Sequence, residues 1–341
     1  MHESPSVTSV ERTQNNHTMR ATVMSQKSTY PRSVRTVAFA LCTMTLLWGQ
    51  VDPANAREDG APASALGIAD AVRASATGAT GLYFNPAGIG LMRQYALEAG
   101  YTYLNDLESH ALVASAVDSA TNEFLGMGTS YTFIISSGKE KREGHQVRGG
   151  LSSGYRMEGF AIHFGVGVNY LSLDGSLNLG DIDAQSASKL EYVTLDAGML
   201  LEIADVFRIG VSAQNLLDTT QGDSGFVPAP REIGVGAALS IENFQISFDA
   251  ELDIQTVWHK LPASYRVGAQ YLFAGMIVAR LGFVADMGLS SLTRNQNFED
   301  YVIAGGLGYV SREFGVDVGF QKSVVVDEGT IVSANFKYFL P

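Results

Sequence analysis

From residue 94 onward apolar residues alternate one by one with polar or small ones, the period of a strand whose two faces meet different surroundings. Phe160, Ile162, Phe164, Val166, Val168 and Tyr170 fall on one face, with Ala161, His163, Gly165, Gly167 and Asn169 on the other. Phe244, Ile246, Phe248, Ala250 and Leu252 alternate in the same way with Gln245, Ser247, Asp249 and Glu251, and Phe314 to Phe320 with Gly315 to Gln321. The pattern predicts about fourteen strands. They fall near 94–104, 109–117, 123–134, 145–157, 159–171, 190–203, 206–216, 231–241, 243–253, 263–273, 276–286, 300–310, 313–322 and 330–340.

The links between these segments alternate as well. Short ones (Met157-Glu158-Gly159, Ala204-Asp205, Glu242, Ala274-Gly275) are followed by long polar ones at 135–144, 172–189, 217–230, 254–262, 287–299 and 323–329. Outer-membrane barrels have short periplasmic turns and longer outside loops, and their strands place apolar side chains toward lipid. A soluble β-sandwich has no reason to alternate its links, and it turns its apolar faces toward each other. The fold class is therefore all-β, a transmembrane antiparallel β-barrel with its ends on the same side. The first connection, around Asn105 and Asp106, is short where the rule expects a long one. Tyr101, Tyr103, Tyr155, Tyr170, Tyr271, Tyr301, Tyr309 and Tyr338 stand near strand ends, where aromatic girdles lie.

The N-terminus fits a secreted route. Arg32 and Arg35 precede an apolar core from Val37 to Trp48, and Ala54-Asn55-Ala56 offers the small residues of a cleavage site after Ala56. The apolar core is too short for a membrane-spanning helix, which needs about 20 residues. The single cysteine, Cys42, lies inside it. The mature chain would then be cysteine-free and would rely on closed hydrogen-bond ladders in place of disulfides. The first 56 residues hold five cations and three acids, so the net charge of −12 becomes −14 without them. That charge excludes nucleic acid as a partner.

Residues 57–93 form a third region that does not alternate. Ala65, Ala69, Ala71, Ala74 and Ala76 suggest a short helix able to pack in a narrow space, and the region ends in Phe84-Asn85-Pro86-Ala87-Gly88. Pro86 fixes its own φ and steers Asn85 away from helix, while Gly88 permits a tight turn. This run resembles the F-N-P-A-G signature of the long-chain fatty acid transporter (FadL-type) superfamily, with its shorter PorV/PorQ-like relatives. The resemblance implies a barrel of residues 94–341 and a lumenal hatch of residues 57–93, with Phe84, Asn85, Pro86, Ala87 and Gly88 as the hatch residues. With 285 of its 341 residues left after cleavage, the chain is similar in size to the PorV/PorQ-like members.

Three constellations carry candidate chemistry. Gly150-Leu151-Ser152-Ser153-Gly154 fits the G-x-S-x-G of a hydrolase elbow. No helix follows it, and Gly150, Ser152 and Gly154 share the inward face of a strand, so they are read as small lumenal residues. Asp174, Ser176, Asn178, Asp181 and Asp183 place oxygen ligands at intervals, but the glycine position is wrong for a calcium loop, and a solvated acidic loop is expected. The inward positions also carry Glu98, Arg148, Asp196, Arg208, Glu232, Asp249, Glu251, Arg266, Arg280, Asp317 and Lys337. Mixed signs favour pairing with one another and with the hatch over a selectivity ring. Inward Gly126, Gly128, Gly165, Gly167, Gly234, Gly236, Gly306 and Gly308 leave room for a backbone to come close.

No cofactor, metal or enzymatic activity is expected. Outer-membrane lipid surrounds the barrel. By resemblance the function is passive uptake of hydrophobic small molecules such as long-chain fatty acids; the alternative is a scaffold barrel that assists protein secretion or polysaccharide export.

Overall fold

The computed structural model describes residues 60–105, 108–136, 140–177, 187–217, 219, 221–222, 231–254, 263–287, 299–325 and 329–340. The expected signal segment and Asn178, Asp181 and Asp183 lie outside the described residues.

The strands are β1 (Tyr95–Leu104), β2 (Ser109–Asp118), β3 (Leu125–Ser136), β4 (Glu140–Met157), β5 (Phe160–Leu177), β6 (Ala187–Ile203), β7 (Phe207–Gln214), β8 (Gln221–Gly222), β9 (Glu232–Ile241), β10 (Phe244–Asp253), β11 (Ala263–Phe273), β12 (Ile277–Met287), β13 (Glu299–Val310), β14 (Phe314–Ser323) and β15 (Thr330–Leu340). All but β8 pair antiparallel with both neighbours, and β1 pairs with β15, so a fourteen-stranded sheet closes on itself. Closure leaves no unpaired edge, the condition a sheet must meet in hydrocarbon. The two-residue β8 adds a small pairing to Leu190 and Glu191 of β6.

Burial follows the alternation, inverted relative to a soluble protein. Along β14 every second residue is exposed, with Phe314, Val316, Val318 and Phe320 outside and Gly315, Asp317, Gly319 and Gln321 inside. Leu281 and Leu307 are 72% and 64% exposed on the outer face, while Asp249 and Gln321 are fully buried within. Lipid, not protein, is the partner such an outer face requires.

The turns at one end are short and left-handed. Ala204 and Asp205 (φ 53° and 56°) and Ala274 and Gly275 (φ 49° and 72°) reverse the chain there. The first connection is short, as its sequence suggests, and β1 and β2 pair over their full lengths, from Tyr95 with Asp118 to Leu104 with Ser109.

Two loop assignments are corrected. Residues 140–144 and 172–177, expected in loops, continue β4 and β5, which pair from Met157 with Phe160 to Glu140 with Leu177. β6 likewise starts at Ala187, and Asp174 and Ser176 stand in β5, not in a loop. The outward-apolar alternation lapses there, since 140–144 is charged and in 172–174 the apolar residue, Leu173, points inward, but ladder hydrogen bonds need no apolar side chain and the ribbon continues. The expected helix over the alanine-rich stretch is also corrected. Within that stretch Ala63–Leu66 alone is α-helical, and Ala69 and Asp70 take positive φ (58° and 57°).

Candidate functional site

The segment from Gly60 to Leu91 lies against the inward face of the strands and follows the wall around most of the barrel. Ala63 donates its backbone N–H to Asn335 Oδ1 of β15 (2.6 Å), and the chain then meets β14 to β11, β10 to β7, β6 and β5, and finally β4 and β3. Its apolar side chains, including Ile68, Val72, Leu82, Phe84 and Ile89, cluster with Val117 of β2 as a small internal core.

The approach is close because the wall lacks side chains where the segment passes. A Cβ on Gly306 (β13) would lie 3.0 Å from the Gly67 Cα, one on Gly282 (β12) 2.5 Å from the Ile68 carbonyl carbon, and one on Gly268 (β11) 2.7 Å from the Ile68 Cβ. Farther round, a Cβ on Gly210 (β7) would lie 2.9 Å from the Ala74 Cα, and one on Gly198 (β6) would collide with Asn85. A Cβ on Gly165 (β5) would collide with Pro86 and Ala87, and one on Gly150 (β4) would lie 2.6 Å from Ile89 Cδ1. Many of these glycines are cross-strand partners: Gly319 with Gly306, Gly282 with Gly268, Gly236 with Gly210, and Gly198 with Gly165. They form a ring at one level. Each glycine costs a strand about 0.5–1 kcal/mol relative to alanine, a cost offset only where a backbone must come close.

Arg73 fastens the segment to this ring. It is 1% exposed, and its guanidinium pairs with Glu251 and lies 3.6 Å from Asp249. Nε donates to Ser212 Oγ (3.1 Å) and Nη2 to Gln214 Oε1 (3.4 Å). Burial opposes its charge, and the carboxylates of Glu251 and Asp249 compensate it. Asp249 also accepts the backbone N–H groups of Val72 (3.0 Å) and Arg73 (2.9 Å), so the wall satisfies donors that a helix would otherwise have bonded.

Asn85 joins the two halves of the segment. Its Nδ2 donates to the Arg73 carbonyl (2.8 Å) and to the Met199 carbonyl of β6 (3.3 Å). Its Oδ1 accepts from the Ala87 N–H (3.1 Å), capping the 3-10 turn Pro86–Gly88 that Pro86 opens. Phe84 is buried in the internal core, and a Cβ on Gly88 would collide with the Ala76 carbonyl. Tyr83, one residue before, hydrogen-bonds Ser130 (2.7 Å) beneath the Arg148 guanidinium, 4.6 Å from the ring centre.

Most of the remaining inward charges fall into pairs. Arg266 joins Arg73 on Glu251; Arg280 donates to Asp317 (2.6 Å); Lys337 lies 3.6 Å from Glu98 and 3.8 Å from Asp317. Arg208 donates to Glu202 (2.7 Å), and Asp196 accepts the Asn215 N–H (2.9 Å). Glu232 opens β9 opposite Gln214. The signs cancel locally and make no ring of one charge. Sequence reasoning missed Arg73 and Glu202. Arg73 is a lone cation in an alanine-rich stretch, and Asp249 and Glu251, two apart on one inward face, are the signal that could have led to it. Among the described residues no group of three or more His, Cys, Asp or Glu is placed to hold a metal ion.

No protein-family model matches the chain, and no curated protein matches it. Solved structures do. The CymD monoaromatic hydrocarbon channel is 16% identical with a TM-score of 0.58, the match covering 82% of this chain and 98% of that one. A Pseudomonas aeruginosa FadL homologue is 12% identical (TM-score 0.57, covering 85% and 99%), and the P. putida toluene transporter TodX is 9% identical (TM-score 0.56, covering 80% and 98%). At these identities the likeness is one of fold: a closed fourteen-stranded barrel shared with channels and transporters.

Proposed function

We propose that this protein is an outer-membrane channel for passive uptake of small hydrophobic molecules, gated by residues 60–91 acting as a hatch. The observation that carries the reading is the internal segment itself. It is fastened by the buried Arg73 and by a few side-chain hydrogen bonds, at Asn335, Ser130, Gln214, Gln321 and Asn85, over a run of wall glycines, while the wall's own ladder closes through strand pairing without it. Wall and plug have distinct fastenings, as a gate requires. Solved neighbours of the barrel include a monoaromatic hydrocarbon channel and a toluene transporter, which supports the substrate class and does not favour the scaffold role. On this reading the short turns face the periplasm, the long loops face outward, and Phe84 to Gly88 form the hinge side of the hatch. Long-chain fatty acids and monoaromatic hydrocarbons are both within the class. The test is uptake of radiolabelled oleate and toluene by cells with and without the protein. Faster uptake at matched amounts of folded barrel is expected; equal uptake would overturn the channel reading.

A further inference from the structure

At the short-turn end of the barrel a cavity of about 270 Å³ opens between the end of the lumen segment, the β2–β3 turn and the inner face of β4 and β5. That is near the lower end of the volumes that hold small ligands, about 300 Å³, and is enough for one ring. Leu91, Phe124 and Leu125 supply its apolar wall, and Ser152 and His163 project into it from β4 and β5.

Its rim cations are already matched. Arg93 donates to the backbone carbonyls of Ser119 (2.8 Å), Asn122 and Glu123 (2.8 Å), and Arg156 pairs with Glu202 and Asp205. The inner wall is different. Ser152 is 3% exposed, and its Oγ has no hydrogen-bond partner; the buried Nε2 of His163 has none either. The two are diagonal neighbours, since Ser152 faces Gly165 and His163 faces Gly154 across the same strand pair. Glycines are required around them, because backbone packs closely there. A Cβ on Gly90 or Gly126 would lie 2.7 or 2.8 Å from Ser152 Oγ, and one on Gly154 would lie 2.9 Å from His163 Cε1.

We propose that this cavity binds a small hydroxylated amphiphile, a phenol or short-chain alcohol, with its ring or chain against Leu91 and Phe124 and its hydroxyl between Ser152 and His163. A hydroxyl donates and accepts at once, which suits a serine that does either and an imidazole nitrogen. A carboxylate would need an unmatched cation, and the rim arginines are engaged. A pure hydrocarbon would cover two polar groups and give them no partner, the condition under which a hydrogen-bonding site rejects an analogue lacking the group. The inference deepens the channel reading and rests on it, by naming polar-headed hydrophobic compounds among those that pass.

The test uses 4-fluorophenol and fluorobenzene, which differ by one hydroxyl, titrated by fluorine NMR against the purified barrel in lipid nanodiscs. Wild type, Ser152→Ala and His163→Leu are compared, with heat-modifiable migration showing that each is folded. The ratio of phenol to fluorobenzene affinity should fall about three- to tenfold in each variant, the effect of one hydrogen bond. Should His163→Leu fail to fold, Ser152→Ala decides alone, because Ser152 makes no side-chain hydrogen bond the wall depends on. An unchanged ratio, or no binding of 4-fluorophenol to the folded wild type, overturns the proposal. A normal binding result with no cellular uptake of either compound would sink the channel reading and leave the site standing.

Discussion

Replacing Arg73 with alanine should loosen the lumen segment and leave the barrel wall closed. The substitution removes the guanidinium's pairings with Glu251 and Asp249 and its hydrogen bonds to Ser212 and Gln214. Removing one partner of a buried ion pair costs about 3–5 kcal/mol, chiefly because the other charge is stranded. Here the stranding is partial. Glu251 keeps Arg266, and Asp249 keeps the backbone N–H groups of residues 72 and 73, which places the cost near the lower limit, about 3 kcal/mol. At about 1.4 kcal/mol per tenfold, the undocked population should rise on the order of 150-fold. Hydrogen exchange followed by mass spectrometry in nanodiscs reads this directly, since exchange of docked amides scales with the open population. Peptides covering 68–90 should exchange about a hundredfold faster, while those from β10 to β14 keep their protection. Unchanged exchange in the segment would show that Arg73 does not fasten it. Simultaneous loss of protection in the wall would show that segment and wall are one unit, which would refute the separable hatch.

Two further predictions probe the ring and the outer face. Gly165→Val places a side chain into the Pro86 and Ala87 backbone and should expel the segment at a cost of about 1–3 kcal/mol or more, read as new protease cleavage between residues 60 and 91. Gly149→Ala, whose Cβ would meet only Val168 at 3.5 Å, should leave cleavage at the wild-type level; equal cleavage in the two variants would count against the ring. Leu281→Arg puts a charge on a 72% exposed position at the middle of β12 and should destabilise the barrel in phospholipid vesicles by about 2–4 kcal/mol. A guanidinium titration showing no change would mean that this face does not meet lipid.

The wall was legible in the sequence because closing a barrel in lipid imposes a period of two on every strand, and side chains such as Phe314 to Gln321 obey it. It was illegible where that constraint lapses: residues 140–144 and 172–177 continue as strands without apolar residues on the outward face. The lumen segment has no period to read, since its path is set by the wall. Glycines on successive strands were visible as inward positions, but their alignment depends on strand register, which the sequence does not display. Asn85 and Pro86 stood out through local turn chemistry. Arg73 did not, because its partners lie some 140 to 180 residues away, as do Ser212 and Glu251. The cavity at Ser152 and His163 is hidden for the same reason, needing four separate stretches of chain to form its walls.

The most direct test of the hatch is a reversible tether. Ser75 Oγ on the segment lies 3.4 Å from Ser247 Oγ on β10, and Thr102 Oγ1 lies 2.9 Å from Ser333 Oγ within the wall. The only native cysteine is Cys42, in the segment expected to be removed as a signal peptide, so the pairs Ser75→Cys/Ser247→Cys and Thr102→Cys/Ser333→Cys introduce isolated disulfides. Uptake of labelled toluene and oleate would be measured before and after reduction. Uptake that stops in the oxidised segment-to-wall pair, returns on reduction, and is indifferent to the wall-to-wall pair is the predicted result. Undiminished uptake through a barrel whose segment is covalently held would contradict the account.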